Sequence, residues 1–528
     1  MNLENKALLL GDEAIALGAI HAGISGVYAY PGTPSTEITE YIQNSPEATT
    51  IHSDWCVNEK TAMEAALGVS YVGKRALVCM KHVGMNVAAD PFVNSAVSGI
   101  NGGLVVLVAD DPSMHSSQNE QDTRFYAKFA LIPTLEPSSQ QEAYDMMSYA
   151  FDLSEELKAP ILMRITTRMA HSRAVVAIGE KRAENEIHYS EDIKRWILLP
   201  AIARRRYNEL VEQQAELVRR SAESKYNVYV EGADKSLGVV ASGIAWNYLN
   251  ENFPEGLPFS AIKVSQYPLP RPMIDKLFKE CDRVLVLEDG QPFIEEQLRG
   301  LLDTLPISGR LDGEVPRVGE LTPDNIKPAL GLACAETLPK SEVVVPRPPA
   351  MCMGCGHRDV YTALNKVVAD YDTAKVFSDI GCYTLGALPP FTAIDSCIDM
   401  GASITMAKGA SDVGQHPAIA VIGDSTFTHS GMTGLLDAIN ANSKMTVIIS
   451  DNLTTGMTGG QKSAGLNKYE AICLGLGLNP DHLKVVVPLP KNMAQIEQIL
   501  REEIEYDGLS VIIPRRECIQ TLKKSKKK

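Results

Sequence analysis

AIAVIGDS at residues 418–425 and MTVIISDN at residues 445–452 are the stretches that decide the fold of this chain. Each is a short apolar run, typical of a buried parallel strand, that ends in a small polar cluster with an acidic residue. The 27 residues between Asp424 and Asn452 leave room for a loop, a helix at about Ser430–Ala441 and the next strand. We therefore expect both side chains at the carboxyl ends of neighbouring parallel strands, where open α/β sheets bind ligands.

A carboxylate and an amide at that edge, with nearby main-chain carbonyls, form the hard oxygen site that suits Mg²⁺ bound to a diphosphate. The pattern resembles the thiamine diphosphate motif, which is here Gly423-Asp424-Ser425 followed by Asn452. The resemblance implies that Asp424, Asn452 and the main-chain oxygen of Thr454 bind Mg²⁺, and that Gly423 and Ser425 contact the cofactor. Two ordinary strand ends of a Rossmann-like domain would give the same pattern.

Length, charge and composition limit the remaining possibilities. A chain of 528 residues predicts about three domains. The net charge of −15 and the pI near 5.3 argue against a nucleic-acid partner. We expect no membrane span, because no apolar stretch reaches about 20 residues. The acidic N-terminus is not typical of a signal peptide. A cytoplasmic protein is therefore predicted, with its ten cysteines as thiols or metal ligands rather than disulfides.

Short apolar runs alternate with helical patterns along the chain, which predicts the α/β class with parallel sheets. In the first unit, strands are expected at Gly26–Tyr30, Arg75–Met80, Gly103–Ala109 and Pro160–Arg164, and helices at Asp12–Ala22, Asn58–Val72 and Gln141–Lys158. The chain divides into α/β units at residues 1–190, 226–340 and 351–518, a helical connector at 191–225, a Pro-rich linker at 341–350 and a basic tail at 519–528. We expect the lysine-rich tail to be solvated and disordered.

A carboxylate of chemical interest stands at the start of the predicted helix Asn58–Val72. Thiamine enzymes place a glutamate against the aminopyrimidine ring, whose imino tautomer can then take the thiazolium C2 proton. The segment NEKTAMEAALG, residues 58–68, resembles the one that carries this residue, which implies Glu59, with Glu64 as the second choice. A glutamate in a first helical turn also complements the helix dipole, and that explanation stays open.

Two loops that follow strands are expected to face the same crevice. Tyr30-Pro31-Gly32-Thr33-Pro34-Ser35 resembles the YPITP-type loop of 2-oxoacid:ferredoxin oxidoreductases, which implies that Thr33 lies near substrate. Asn86 ends the segment Lys81–Asn86, which follows the next predicted strand. Turn formation and helix capping would explain either loop equally well.

Four cysteines stand at strand ends or loops of the third unit. Cys352 and Cys355 form a CxxC pair, and Cys382 and Cys518 each follow a strand-like run. Four thiolates can hold a [4Fe–4S] cluster. A structural zinc site fits the residue types as well, with the ligands Cys352, Cys355, His357 and Cys382. On chemistry alone the two metal centres remain alternatives.

Longer motifs favour the [4Fe–4S] cluster over the zinc site. CxGCGHR, DIGCYTLG, MGASI, VIGDSTFTHSG and TGMTGGQ, in this order, resemble the large-subunit family of indolepyruvate:ferredoxin oxidoreductases, as do MKHVGMNVAADP, VADDPSMHSSQNEQDTR and ITTRMAH near the N-terminus. The resemblance covers essentially the whole chain. It implies a pyrimidine-binding thiamine fold at 1–190, a transketolase C-terminal-like domain at 226–340 and a diphosphate-binding thiamine fold at 351–518. It also implies a [4Fe–4S] cluster on Cys352, Cys355, Cys382 and Cys518.

The function that this resemblance implies is oxidative decarboxylation of an aryl 2-oxoacid, of the indolepyruvate or phenylpyruvate type, to its acyl-coenzyme A. Thiamine diphosphate, Mg²⁺ and one [4Fe–4S] cluster would be the cofactors. The expected partners are a second copy of the chain, a smaller second subunit and an electron acceptor. The ferredoxin-like domain usual in the family does not follow Cys518, so we expect ferredoxin or a separate ferredoxin-like protein as acceptor.

Two other functions compete with this one. The first is a non-oxidative thiamine diphosphate-dependent decarboxylase or lyase with a structural zinc site. The second is an inactive assembly subunit, against which the joint presence of Glu59, Asp424 and Asn452 argues.

Overall fold

The structure is a computed structural model that describes residues 5–196, 200–300, 306–316, 319–334, 341–345, 350–397, 400–412 and 415–525. It separates into two compact units, Met1–Leu338 and Pro339–Lys528. The sequence predicted three α/β units, and the first compact unit contains two of the predicted sheets. Each compact unit is described by itself below.

The first unit alternates strands and helices from its beginning. Short 3₁₀ turns aside, its elements are β1 (Lys6–Leu10), α1 (Gly11–His21), β2 (Gly26–Ala29), α2 (Thr36–Asn44), β3 (His52–Trp55), α3 (Glu59–Tyr71), β4 (Ala76–Lys81), α4 (His82–Ser98), β5 (Leu104–Asp110), α5 (Arg124–Ala130), β6 (Thr134–Leu135), α6 (Gln140–Leu157), β7 (Ile161–Thr166), α7 (Thr167–His171), β8 (Arg173–Ala177), α8 (Pro200–Glu212), α9 (Gln214–Glu223), β9 (Val228–Val230), β10 (Asp234–Ser242), α10 (Ala245–Asn252), β11 (Phe259–Val264), β12 (Gln266–Tyr267), α11 (Arg271–Glu280), β13 (Val284–Leu287), α12 (Phe293–Arg299) and β14 (Ile307–Ser308).

Two main sheets form the core of the first unit. A seven-stranded sheet has the order β12-β6-β7-β5-β4-β2-β3, parallel except for β12. A five-stranded sheet has the order β14-β13-β10-β11-β9, parallel except for β9. β4 and β5 are buried along their whole length, as their unbroken apolar runs require when helices cover both faces of a parallel sheet. β1 and β8 form a small antiparallel ribbon.

The second unit is built on one sheet in which every pairing is parallel. Its order is β16-β15-β17-β18-β20-β19. The elements are α13 (Gly356–Val368), β15 (Lys375–Ser378), β16 (Ser396–Cys397), α14 (Ala402–Asp412), β17 (Ala418–Gly423), α15 (Asp424–Thr426), α16 (Met432–Asn440), β18 (Met445–Ser450), α17 (Tyr469–Gly475), β19 (Leu483–Val486), α18 (Met493–Glu505), β20 (Leu509–Pro514) and α19 (Ile519–Ser525).

The α/β class with parallel sheets is confirmed, and the predicted strands and helices lie within a few residues of the observed ones. The helical connector contains α8 and α9, whereas most of the Pro-rich run, residues 346–349, lies outside the described residues. Within the described part of the chain, no helix is both long enough and apolar enough to cross a membrane.

The expectation of a disordered tail is wrong for the residues before 526. α19 begins directly after Cys518, whose carbonyl accepts a hydrogen bond from the Leu522 N–H at 3.0 Å. The Lys524 ammonium donates to the Gly459 carbonyl at 3.0 Å. Pairing of polar groups with the domain therefore orders a segment whose composition alone indicates a solvated tail.

Candidate functional site

The stretches at residues 418–425 and 445–452 contain adjacent strands of the second unit. β17 and β18 pair in parallel, with Gly423 opposite Ser450. Asp424 and Asn452 therefore leave the sheet side by side at its carboxyl edge, as the sequence predicted. The chain after Asp424 continues through a π-helical turn at Phe427–Gly431 into α16, a local deviation that is frequent at functional sites.

Hydrogen bonds bring the predicted magnesium ligands together. The Thr454 N–H donates to Oδ2 of Asp424 and to Oδ1 of Asn452, both at 3.1 Å. The Ser425 N–H donates to Oδ1 of Asp424 at 2.7 Å. Asp424 and Thr454 are buried, so these oxygens cluster in a crevice rather than in bulk solvent.

The electrostatics of this crevice leave negative charge in excess. The pKa of Asp424 is raised to about 7, mainly by burial and also by the charge of Asp451, while hydrogen bonds from backbone N–H groups act to lower it. Asp451 is itself paired with Arg515 at 2.5 Å, so that cation is already engaged. A buried carboxylate beside an amide oxygen fits a hard divalent cation, which would supply the missing positive charge.

Four cysteines from three segments line one cavity of about 90 Å³ in the same unit. Its lining includes His357, Asn452 and the four predicted ligands Cys352, Cys355, Cys382 and Cys518. A Cβ atom placed on Gly456 would lie 3.6 Å from Sγ of Cys382 and 3.8 Å from Sγ of Cys518. The predicted cluster ligands and one predicted magnesium ligand thus share a cavity.

The spacing of these thiols bears on the two metal alternatives. Ligand atoms of one tetrahedral zinc ion lie about 3.3–3.8 Å apart. Among the described residues, no three of these sulfurs and the His357 nitrogens lie within 4.8 Å of one another. Nε2 of His357 is instead 3.4 Å from Nδ2 of Asn452, and burial lowers the pKa of His357 to about 4. This histidine therefore faces the cofactor crevice as a neutral ring.

Glu59 opens α3 in the first unit and is 5% exposed. Asn58 caps the helix by accepting a hydrogen bond from the Thr61 N–H at 2.9 Å. A Cβ atom on Gly84 would lie 2.4 Å from Oε1 of Glu59, so only a glycine in α4 leaves room for the carboxylate. Gly84 was not predicted as a site residue, because a glycine in a helical pattern does not by itself show which side chain packs against it.

The two predicted loops come together at Lys81, whereas Asn86 lies apart from Thr33. Oγ of Ser116 lies 3.5 Å from the Thr33 carbonyl, and the Lys81 ammonium donates to the Ser116 carbonyl at 3.0 Å. Burial lowers the pKa of Lys81 to about 8. Asn86 is exposed on α4, and its amide oxygen accepts a hydrogen bond from the Tyr126 hydroxyl. The contacts thus join Thr33 to Ser116 and Lys81, a lysine not selected as a site residue, but do not join it to Asn86.

Comparison with known proteins extends these observations. The model described as Thiamine pyrophosphate enzyme, C-terminal TPP binding domain, matches residues 379–513. The model described as Pyruvate flavodoxin/ferredoxin oxidoreductase, thiamine diP-bdg, matches residues 17–206. The two matches cover the crevice around Asp424 and the segment that contains Thr33 and Glu59.

Curated relatives cover nearly the whole chain. The chain is 37% identical to the indolepyruvate oxidoreductase subunit IorA of Methanothermobacter thermautotrophicus over an alignment of 543 positions, gaps included. The alignment covers 98% of this chain and 87% of that protein. It is 38% identical over 550 residues to the protein of the same name from Archaeoglobus fulgidus, over 97% of this chain and 86% of that protein.

A solved structure shares the fold. The 2-oxoglutarate:ferredoxin oxidoreductase from Magnetococcus marinus, with 2-oxoglutarate, coenzyme A and succinyl-CoA bound, matches with a TM-score of 0.50 and 16% identity. The match covers 60% of this chain and 64% of that chain, slightly less than two thirds of its length. At this identity the likeness shows the fold alone.

Proposed function

Since this chain belongs to the family of the indolepyruvate oxidoreductase subunit IorA, we propose that it is the thiamine-binding subunit of a 2-oxoacid:ferredoxin oxidoreductase. The two thiamine-binding family matches support the cofactor, and the names of the relatives support the reaction class. We further propose an aryl 2-oxoacid as substrate, the acyl-coenzyme A as product, and electron transfer through a [4Fe–4S] cluster.

One observation carries the electron-transfer proposal. Cys352 and Cys355, Cys382, and Cys518 come from three segments spread over more than 160 residues, yet all line the cavity that Asn452 also lines. Four thiols around one cavity match the ligand number of a [4Fe–4S] cluster, which supports the iron–sulfur alternative. A cluster in this cavity would lie within the same unit as the proposed magnesium site.

Each group of residues then has a defined task. Asp424, the side chain of Asn452 and the main chain of Thr454 would hold Mg²⁺ against the diphosphate. Glu59, held beside Gly84, would exchange a proton with the aminopyrimidine ring. Thiamine diphosphate, when bound, supplies the carbon nucleophile and electron sink, and a [4Fe–4S] cluster supplies a one-electron acceptor.

Thr33 and the partner proteins complete the proposal. Thr33 lies on a loop held by Ser116 and would face the substrate. The family relatives are named as subunits, which supports a partner subunit. We propose that this partner is the smaller chain, that two copies of the present chain form a homodimer core, and that a ferredoxin-type protein accepts the electrons. We expect the enzyme in the cytoplasm, where a reducing environment protects thiolate-bound iron.

The decisive experiment is oxoacid-dependent dye reduction by anaerobically purified protein, with its small subunit, with and without coenzyme A. Cys355→Ser should abolish dye reduction and lower the iron content, while thiamine diphosphate still binds. The matched control is Cys473→Ala, which alters a buried cysteine of α17 in the same unit. It should keep both the dye reduction and the iron content of the wild type. Unchanged dye reduction in Cys355→Ser contradicts the cluster, and a colourless protein with about one zinc favours the non-oxidative alternative.

Glu59 is tested on its own helix. Glu59→Gln should lower the turnover number by about 10²–10⁴-fold, the usual contribution of a positioned acid–base group, with little change in thiamine affinity. Glu64→Gln alters an exposed glutamate of α3 that pairs with Lys60 and should leave turnover unchanged. Equal losses in the two variants would contradict the assigned role of Glu59.

A further inference from the structure

Three side chains far apart in sequence meet at one point of the first unit. Asp12 is in the first turn of α1, Glu37 is in the first turn of α2, and His171 is the last residue of α7. One carboxylate oxygen of each acid and one imidazole nitrogen all lie within 4.8 Å of one another. Neither the thiamine chemistry nor the four-cysteine cavity uses these residues.

Asp12 is the member that needs an explanation. It is fully buried, and neither of its carboxylate oxygens has a hydrogen-bond partner. Oε2 of Glu37 is also buried without a partner. The charges that act most strongly on Asp12 are those of Glu37 and Glu13, both negative. A buried carboxylate beside other acids is unfavourable unless something positive or a donor lies between them.

The distances leave space for such a group. Nε2 of His171 is 3.7 Å from Oε1 of Glu37, which is longer than a direct hydrogen bond. Ligands of one transition-metal ion, at about 2.0–2.2 Å from it, lie about 3–4 Å apart. The side chains of His171 and Glu37 are 37% and 38% exposed, so water can reach the open side. Asp12 closes the opposite, buried side.

We propose that Asp12, Glu37 and His171 form a binding site for a divalent transition-metal ion, completed by water. Two carboxylates with one imidazole suit Mn²⁺, Fe²⁺ or Zn²⁺, whereas Mg²⁺ and Ca²⁺ favour sites made wholly of oxygen. The ion would tie α1, α2 and α7 together. α2 begins just after the loop that carries Thr33, so the ion would also fix the N-terminal end of α2 beside that loop.

A shared proton is the competing explanation. Burial raises the pKa of Asp12 well above its ordinary value, and Glu37 raises it further. A protonated Asp12 could therefore donate to Glu37 with no metal present. The two explanations differ for Asp12→Asn, because an amide can replace the donated proton but is a poor ligand in place of a carboxylate.

The test is a Mn²⁺ titration of the full-length chain, followed by the electron paramagnetic resonance of free Mn²⁺. Thiamine diphosphate and excess Mg²⁺ occupy the diphosphate crevice, and the hard Mn²⁺ ion competes poorly for the thiols. The wild type should bind one Mn²⁺ below 1 mM. His171→Ala and Glu37→Gln should weaken this binding at least tenfold, while Glu40→Gln, one turn along α2, should not.

Thermal melts supply the second readout. Mn²⁺ should raise the Tm of the wild type and of Glu40→Gln but not that of Asp12→Asn, since only a ligand of the folded state stabilises it. Two results overturn the site. One is a wild type with no saturable Mn²⁺ binding below 1 mM. The other is a Mn²⁺-dependent Tm that is the same in Asp12→Asn and wild type, which leaves a shared proton as the explanation.

Discussion

Two regions of this molecule bury carboxylates at strand ends, and they neutralise the negative charge in opposite ways. In the first unit, Arg124 and Arg164 are fully buried among acids. Nε of Arg164 donates to Asp110 at 2.6 Å, and Nε of Arg124 donates to Asp122 at 2.9 Å. Asp110 and Asp122 thus each have a guanidinium beside them.

At the carboxyl edge of the second unit, no arginine among the described residues forms an ion pair with Asp424. Backbone N–H groups of Ser425 and Thr454 donate to Asp424, and burial raises its pKa to about 7. Buried charges that are paired within the chain serve packing and connectivity. A buried charge that is left uncompensated beside other oxygen ligands is available to an external cation. The comparison therefore separates structural acids from those that we assign to cofactor binding.

The largest effect is expected for Asp424→Asn. The substitution keeps the shape but removes the charge that would hold Mg²⁺, so oxoacid oxidation should fall by at least about 10³-fold. Because the folded protein no longer buries an uncompensated carboxylate, its Tm without cofactors should be equal to or above that of the wild type. Turnover assays and thermal melts measure the two quantities.

A matched variant for that test is Asp437→Asn, on the exposed face of α16. It should change neither turnover nor Tm. If Asp424→Asn lowers the Tm as much as a core variant does, Asp424 belongs with the structural acids and the comparison fails.

Arg164→Met should have the next largest effect, and on stability. Removal of this guanidinium leaves Asp110 and Glu136 buried without their main cation, which costs about 3–5 kcal/mol in comparable cases. Arg168→Met, four residues along, removes an arginine that is 51% exposed and paired with Glu320. We expect it to lower the free energy of unfolding by at most about 1 kcal/mol. Urea unfolding measures the free energy of unfolding of both variants. Similar losses in the two would contradict the distinction between the buried and the exposed arginine.

Asp379 should make the stability of the second unit depend on pH. Burial raises its pKa from 3.8 to about 7, although the Ser403 hydroxyl donates to it at 2.6 Å. The folded state therefore keeps a proton that the unfolded state releases, so this contribution is complete below about pH 4 and is lost as the pH rises through about 7. Asp379→Asn should flatten the fall of Tm over that interval. An unchanged pH profile would mean that Asp379 is ionised when folded.

Local patterns predicted much of this molecule. The spacing of Asp424 and Asn452 across one strand–helix–strand unit placed both residues correctly, because parallel neighbours end at the same edge. Glu59 was selected from an equally local signal, the resemblance of residues 58–68 to a segment of related enzymes, and it begins α3 directly after the N-cap Asn58. For such sites a few tens of residues contain the information that is needed.

Contacts between distant segments could not be predicted in this way. Nothing near Glu59 in sequence announces Gly84, and the arginine network joins residues such as Arg164 and Asp289 that lie 125 positions apart. The meeting of Asp12, Glu37 and His171 depends on how three helices pack. Such contacts are set by tertiary packing, which periodicity and turn signals do not reveal.

The smallest effect is expected for a substitution of Arg515. This residue links the two classes of buried acid, because it forms an ion pair with one acid close to the proposed cation site. It is 26% exposed and pairs with Asp451, whose charge acts on Asp424. Arg515→Gln frees that negative charge near the proposed cation site, which should tighten Mg²⁺ binding a few-fold, since partly screened charges interact by about 1 kcal/mol. Arg501→Gln removes an exposed pair with Asp370 in the same unit and should leave Mg²⁺ affinity unchanged. Weaker Mg²⁺ binding in Arg515→Gln would show that Asp451 does not add to the field at Asp424, and the crevice would then owe its cation affinity to Asp424 alone.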